Sequence, residues 1–173
     1  MAKFGVLTVE DLLQLYLGFG EANTKAAGAV PFAISLAIIN HFLGAEWIEE
    51  HLDTSARTDG FMRLDLRNPA IGHIQLYKVV DLAELLFNLQ GIGGFAACVT
   101  HMRTEAQVEA SLAELDIARM LYVHNYQFNF NEQKGVRGSD YDLEIKLDKW
   151  KVCADVKCKV ENTRLAITQS SAL

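Results

Sequence analysis

The chain has 173 residues, half of them hydrophobic, with 16 basic and 22 acidic side chains and a formal net charge of −6. This length fits one domain, or one domain with an extension, and the apolar content excludes an intrinsically disordered chain. With 2 prolines and 12 glycines the composition excludes collagen-like and proline-rich proteins, and the net acidity excludes a surface that is basic throughout.

The cysteines and the N-terminal sequence favour a cytoplasmic protein. The first ten residues contain no long apolar segment of the kind found in signal peptides. Cys98, Cys153 and Cys158 are an odd number of thiols, which is simplest to accommodate in a reducing compartment. Cys153 and Cys158 lack the Cys-x-x-Cys spacing, so we expect no zinc site.

The first hundred residues show the apolar periodicity of helices. The first predicted helix is capped by Thr8 and ends at Gly18 or Gly20, and the second runs from about Val30 to about Leu52 with a bend near Gly44. After a polar loop over 53–68, a third helix is predicted from Pro69 to Leu89. Gly91, Gly93 and Gly94 end it, and a short helix follows to about Met102. A helical bundle without chemistry of its own is therefore expected here.

One uncharged stretch, from Ala26 to Ala45, is long enough to require a membrane test. It contains Asn40 and His41 next to each other, and two such side chains in a bilayer are costly without partners. We therefore expect a buried helix and no membrane partner, with a membrane-associated protein as the minor alternative.

The next predicted helix begins at Thr104 and continues to about Tyr122. Thr104 and Gln107 have the spacing of a capping box. Glu114 lies in an otherwise apolar stripe of this helix, where a carboxylate is either paired with a cation such as Arg119 or held inward for a functional reason. Both alternatives remain open from the sequence.

After His124 the apolar pattern changes to a period of two, which predicts three strands. The strands are expected over 126–130, 141–147 and 150–160, with a glycine-containing turn over 133–139 and a tight turn at Asp148 and Lys149. The third strand carries small apolar residues around Asp155 and Lys157, which favours a central position in the sheet.

A hairpin centred on Asp148 and Lys149 would place Asp142 directly opposite Asp155. Directly opposed side chains on one face have Cβ atoms about 5 Å apart, so these two carboxylates repel each other unless a cation or a proton lies between them. A hard divalent ion such as Mg²⁺, or Mn²⁺, fits such a pair, with Glu114 completing the site and Lys157 pointing to the same side. A solvated hairpin face with mixed charges is the alternative.

Asp142 on one strand, followed by Asp155-Val156-Lys157 on the next and preceded by a helix that bears Glu114, resembles the PD-(D/E)XK nuclease superfamily, the restriction-endonuclease-like fold. The resemblance covers about residues 104–160. It implies that Asp142, Asp155 and Glu114 are metal ligands and that Lys157, with Glu114, has a catalytic role. Glu109 or Glu105 is the alternative to Glu114 as the helix acid.

The resemblance also sets the expected architecture. The sequence predicts an α+β protein with a helical region over 1–103 and a nuclease-like core of one helix and a three-stranded antiparallel sheet over 104–173. The family core usually continues with a further helix and strand, and only 13 residues follow Val160. The core is therefore expected to be truncated, or completed by a partner chain.

The distribution of charge supports a nucleic acid partner. Residues 134–173 hold 8 basic and 6 acidic side chains, whereas the rest of the chain is strongly acidic. The basic side chains expected to contact the phosphate backbone are Arg137, Lys146, Lys151, Lys159 and Arg164. The alternative is a non-catalytic protein that dimerises or binds a partner and retains a remnant of the nuclease-like fold.

Overall fold

A computed structural model describes residues 4–18, 29–52, 69–104, 108–132 and 141–157. In these ranges six helices precede a three-stranded antiparallel sheet, so the predicted α+β class is confirmed. The elements are α1 (Val9–Gly18), α2 (Ala29–Leu43), α3 (Ala45–His51), α4 (Pro69–Leu89), α5 (Phe95–Thr104), α6 (Val108–Val123), β1 (Gln127–Phe130), β2 (Leu143–Leu147) and β3 (Trp150–Ala154).

Helix α1 begins with the cap that the sequence predicts. The Thr8 hydroxyl accepts a hydrogen bond from the backbone N–H of Asp11, and the Asp11 carboxylate accepts one from the backbone N–H of Thr8. This reciprocal arrangement satisfies two donors that the first turn of a helix leaves without helical partners. The preceding segment is held by Gln90, whose side chain bonds both the N–H and the carbonyl oxygen of Leu7.

The bend expected near Gly44 divides the second predicted helix into α2 and α3. Gly44 has a φ of +92°, which a glycine adopts without a steric cost, and the helix axis bends by 114° between α2 and α3. The indole N–H of Trp47 donates to the carbonyl oxygen of Met102, which fastens α3 to α5. Among the described helices, none alone has the length and apolar character to cross a membrane, although α2 and α3 taken together as a bent pair reach that threshold.

Helix α4 has the predicted bounds, and the glycines after it form a close contact with β1. The backbone N–H of Phe130 donates to the carbonyl oxygen of Gly93, and a Cβ at Gly94 would overlap the carbonyl oxygen of Phe130. Gly94 also has a φ of +78°. Glycine is therefore required at Gly94 both by conformation and by space.

The boundary between α5 and α6 differs from the prediction. Helix α5 continues to Thr104, so this residue ends one helix instead of capping the next. Residues 105–107, which include the rest of the expected capping box, lie outside the described residues, as do the predicted loop over 53–68 and the turn over 133–139. Helix α6 is described from Val108 to Val123.

The sheet has the strand order β1-β2-β3, and β2 pairs with β3 in the predicted register. Leu143 lies opposite Ala154, and Leu147 lies opposite Trp150. The predicted central position of the third strand is wrong, because β2 is the middle strand and β3 is an edge of the described sheet. Regular pairing ends at Ala154 and residues 155–157 are not in the strand, while residues 158–160 of the predicted strand lie outside the described residues.

One continuous hydrophobic core joins the helices to one face of the sheet. Helix α2 packs along α4, α4 packs against α6, and both α5 and α6 contact β1. The sheet contributes Phe128, Phe130 and Leu143, all of them buried. Leu143, the first residue of β2, belongs to the same core, so the start of β2 lies close to the helical layer.

Candidate divalent-cation site

Asp142 lies immediately before β2 and is fixed by both neighbouring strands. Its backbone N–H donates to the carbonyl oxygen of Ala154 at 3.0 Å, and its carbonyl oxygen accepts from the N–H of Asn131 at 2.8 Å. Its carboxylate oxygen Oδ2 accepts from the backbone N–H of Val156 at 2.6 Å. Asp142 is only 7% exposed, so the carboxylate is held at a buried position in a defined orientation.

Asp155 and Lys157 follow directly after β3 and form an ion pair. The Lys157 Nζ lies 2.8 Å from Oδ1 and 2.7 Å from Oδ2 of Asp155. This ammonium lowers the pKa of Asp155, and a hydrogen bond with the Asp142 side chain contributes in the same direction. The hydrogen bond to Asp155 in turn raises the pKa of Lys157, with the charge of Asp142 also contributing. Both side chains of the pair are largely exposed, so the site opens to solvent on this side.

Glu114 is partly buried on α6 and approaches the same point from the helical layer. Burial raises the pKa of Glu114 to about 7, and the nearby negative charge of Asp142 adds to this effect. A hydrogen bond with the Cys98 thiol acts in the opposite direction. The raised pKa reflects a carboxylate that is poorly solvated and faces another carboxylate.

The interpretation of Glu114 as a partner of Arg119 is wrong. Arg119 forms ion pairs with Asp81 and with Asp116, the latter at 2.8 Å. Arg119 lies five residues after Glu114, which places it about 140° further round the helix. Glu114 is therefore held on the side of α6 that faces Asp142 and Cys98.

The four residues that the sequence predicts for the site thus lie in one neighbourhood. Glu114 faces Asp142, Asp142 contacts Asp155, and Asp155 is paired with Lys157. The expected juxtaposition of Asp142 and Asp155 arises in part from the predicted register. It also depends on the way the chain leaves β3 after Ala154. The backbone N–H of Asp142 donates to the carbonyl oxygen of Ala154, and its carboxylate accepts from the N–H of Val156.

Cys98 is the neighbour that sequence reasoning missed. It lies on α5, is buried, and donates to the Glu114 carboxylate. Burial and the charge of Glu114 raise the pKa of this thiol far above its usual range, so it remains protonated and acts as a donor. The sequence pattern around Cys98 predicts a buried position on a helix. It cannot predict the contact with Glu114, because that contact depends on how two helices pack together.

The other candidate acids and bases lie elsewhere. Glu109 is on α6 five residues before Glu114 and so lies on a different side of that helix, while Glu105 is outside the described residues. His124 is exposed at the end of α6. The described acidic neighbours of Asp142 are therefore Glu114 and Asp155.

The oxygen-rich donor set suits a hard divalent cation only in part. In the described ranges no group of three or more His, Cys, Asp or Glu side chains is arranged closely enough to hold a metal as it stands. Mg²⁺, however, is commonly bound by one or two carboxylates together with waters and substrate phosphate oxygens. Asp142 and Asp155 supply two carboxylates in contact, which is the number that this kind of site needs.

Of the basic residues expected to contact nucleic acid, two are described. Lys146 and Lys151 lie opposite each other on β2 and β3. Lys151 forms an ion pair with Glu144 at 2.6 Å, and the Tyr141 hydroxyl donates to the same carboxylate. Arg137, Lys159 and Arg164 lie outside the described residues.

Comparison of the chain with protein-family models, with curated protein sequences and with solved structures finds no match. The relationship to PD-(D/E)XK nucleases therefore remains a prediction that depends on the residues and their arrangement. The order of α6, β1, β2 and β3 is the order which that resemblance implies.

Proposed function

We propose that this chain hydrolyses phosphodiester bonds in nucleic acid with the help of a divalent cation. The observation that carries the proposal is the convergence of Glu114, Asp142 and Asp155 beside the ammonium group of Lys157. The negative charge of Asp142 already raises the pKa of Glu114, and a divalent cation bound at Asp142 and Asp155 would offset this repulsion.

Each residue has a distinct role in this proposal. Asp142 and Asp155 hold the cation, and the fixed orientation of Asp142 by Val156 keeps its carboxylate in place. A bound Mg²⁺ or Mn²⁺ would polarise the phosphate and lower the pKa of a coordinated water. Lys157 donates to the phosphate oxygens as negative charge develops on them, which stabilises the transition state electrostatically. Glu114, with a pKa of about 7, accepts a proton from the water or completes the ligand set.

The test is nicking of supercoiled plasmid and cleavage of single-stranded circular DNA in Mg²⁺ and in Mn²⁺. We expect cleavage by the wild type and a loss of at least about a hundredfold in the Asp142→Asn and Lys157→Ala variants. Asp148→Asn is the matched control, because Asp148 lies in the hairpin turn with a φ of +51°, which asparagine adopts readily. Cleavage that is equal in all four proteins would indicate a contaminant and would contradict the proposal.

A second candidate function is non-catalytic binding of a partner or of a second copy of this chain. It is favoured by the edge strand β3, where Trp150 is 69% exposed and Val152 is 39% exposed. An edge strand presents backbone groups that can pair with another chain. Light scattering after size exclusion distinguishes the two functions: a dimer that the Val152→Lys variant dissociates, and that ignores divalent cations, favours binding over hydrolysis.

A further inference from the structure

A groove of about 490 Å³ lies beside the sheet face that is turned away from the core. Its walls include Tyr122, Asn125, Tyr126, Asn129, Lys146, the backbone of Gly91 and Glu144, whose carboxylate is paired with Lys151. On β1, exposed Gln127 and Asn129 alternate with buried Phe128 and Phe130, so the polar side of this strand contributes to the groove. We refer to this space as the tyrosine groove. The roles proposed above for Asp142 and Lys157 do not use it.

The end of α6 places two tyrosines in this groove. Asn125 has a φ of +58°, and its N–H bonds the carbonyl oxygen of Tyr122. The N–H of Tyr126 bonds the carbonyl oxygen of Leu121, which closes the turn. Tyr122 and Tyr126 remain 46% and 48% exposed, although aromatic side chains usually bury more of their surface. The hydrogen-bonded turn therefore fixes the backbone of both tyrosines, while about half of each side chain remains accessible to a ligand.

The glycine turn after α4 also lines the groove. Gly93 lies so close to Asn129 that a Cβ there would overlap its side-chain amide. A Cβ at Gly91 meets no atom within 4 Å, so the groove is open on that side. Backbone, amide side chains and aromatic rings therefore surround one space.

This combination of groups suits a planar ligand with hydrogen-bonding edges. An apolar ligand would leave the amides of Asn125 and Asn129 without partners, which is unfavourable. A phosphate alone would make no use of the rings. Nucleobases stack on tyrosines and exchange hydrogen bonds with side-chain amides, which both donate and accept. The volume of the groove also lies in the range of small-ligand sites.

We infer that the tyrosine groove binds an unpaired base of a single-stranded nucleic acid, an inference that rests on the proposed function because it names the form of that substrate. Lys146 follows Asp142 by four residues, and β2 provides the connection between them. At about 3.3 Å per residue these positions are about 13 Å apart along the strand direction. A flexible single strand spans this distance, with Lys146 contacting its phosphates.

The test is fluorescence anisotropy of a labelled single-stranded 12-mer in buffer without divalent cations, so that no cleavage occurs. Loss of one base–tyrosine stack weakens binding by about 5- to 150-fold, which we expect for Tyr126→Ala and for Tyr122→Ala. Tyr126→Phe keeps the stack and should remain within about twofold of the wild type. Tyr77→Ala is the matched control, since Tyr77 is 71% exposed and lies about 18 Å along α4 from Leu89, the last residue of that helix.

The outcomes separate this inference from the proposed hydrolysis. Tyr126-dependent binding in a protein that cleaves nothing supports the groove and contradicts the nuclease proposal. Cleavage with no effect of Tyr126→Ala on binding overturns the groove and leaves the nuclease proposal intact. Equal affinity for a 12-bp duplex also overturns it, because paired bases cannot enter. AMP that binds as tightly as the 12-mer overturns the strand assignment and indicates a free nucleotide as the ligand.

Discussion

At the scale of single residues, the site depends on carboxylates that are placed against their solvation preference. The sequence shows that Glu114 interrupts an apolar stripe, and it is indeed partly buried. What the sequence cannot show is which partners it meets, because Cys98 and Asp142 reach it through the packing of α5 and the start of β2. Periodicity reports which side of a helix faces the core and carries no information on neighbours from other elements.

The raised pKa of Glu114 leads to a prediction about the pH dependence of stability. Its pKa is about 7 in the folded chain against about 4.5 unfolded, so the folded state binds this proton more tightly. Its contribution is therefore fully present below about pH 4.5 and is lost as the pH rises to about 7. We expect Glu114→Gln to remove this loss, which amounts to about 1–2 kcal/mol after allowance for partial exposure.

Urea unfolding at pH 5.0 and at pH 8.0 measures this difference. The Glu49→Gln variant serves as the control, since Glu49 is exposed on α3 and its substitution should leave the pH dependence unchanged. An identical pH dependence in the wild type and in Glu114→Gln would show that this carboxylate is not poorly solvated in the folded chain.

At the scale of elements, the sequence of the hairpin turn predicts which residues of β2 and β3 pair, but it does not predict the order of the strands in the sheet. The turn at Asp148 and Lys149 predicts the register of β2 and β3 correctly, because a tight hairpin determines which residues face each other. The central position predicted for the third strand was wrong. Small apolar residues around Asp155 indicate burial in the sequence, whereas in the structure Trp150 and Val152 are exposed on β3, an edge of the described sheet. Strand order depends on contacts between distant segments, which periodicity does not report.

The glycine turn between α4 and α5 gives a prediction for an element boundary. Gly94→Ala introduces a Cβ at a positive φ and against the carbonyl oxygen of Phe130, so we expect a loss of about 2–4 kcal/mol in unfolding free energy. Gly91→Ala, in the same turn but with nothing within 4 Å, should change stability by less than about 1 kcal/mol. Chemical denaturation measures both, and equal stabilities of the two variants would contradict the close packing of this turn on β1.

At the scale of the whole molecule, the proposed function requires an acidic chain to bind nucleic acid through a small basic region. The formal charge of −6 repels a polyanion in general, whereas Lys146 and Lys151 lie together on the outer face of the sheet. Binding should therefore be short-ranged and sensitive to salt, since each phosphate contact releases counterions. Composition indicated this uneven distribution of charge, and the structure adds that Lys151 is engaged by Glu144.

The expected salt dependence can be tested with Lys146, because Lys151 is already paired with Glu144. We expect Lys146→Ala to reduce the slope of log K against log salt by about one for a single-stranded oligonucleotide. Anisotropy titrations between 50 and 200 mM salt, about the range in which such contacts are lost, measure the slope. Lys78→Ala on α4 is the control and should leave the slope unchanged. A slope in Lys146→Ala equal to that of the wild type would place the phosphate contacts elsewhere.

The central claim, that Asp142 and Asp155 together hold one divalent cation, is tested most directly by calorimetric titration with Mn²⁺. We predict saturable binding of Mn²⁺ by the wild type and by Asp148→Asn, and loss of that binding in the Asp142→Asn, Asp155→Asn double variant. Binding that survives in the double variant, or a wild type that takes up no Mn²⁺ even with a single-stranded oligonucleotide present, would contradict the account.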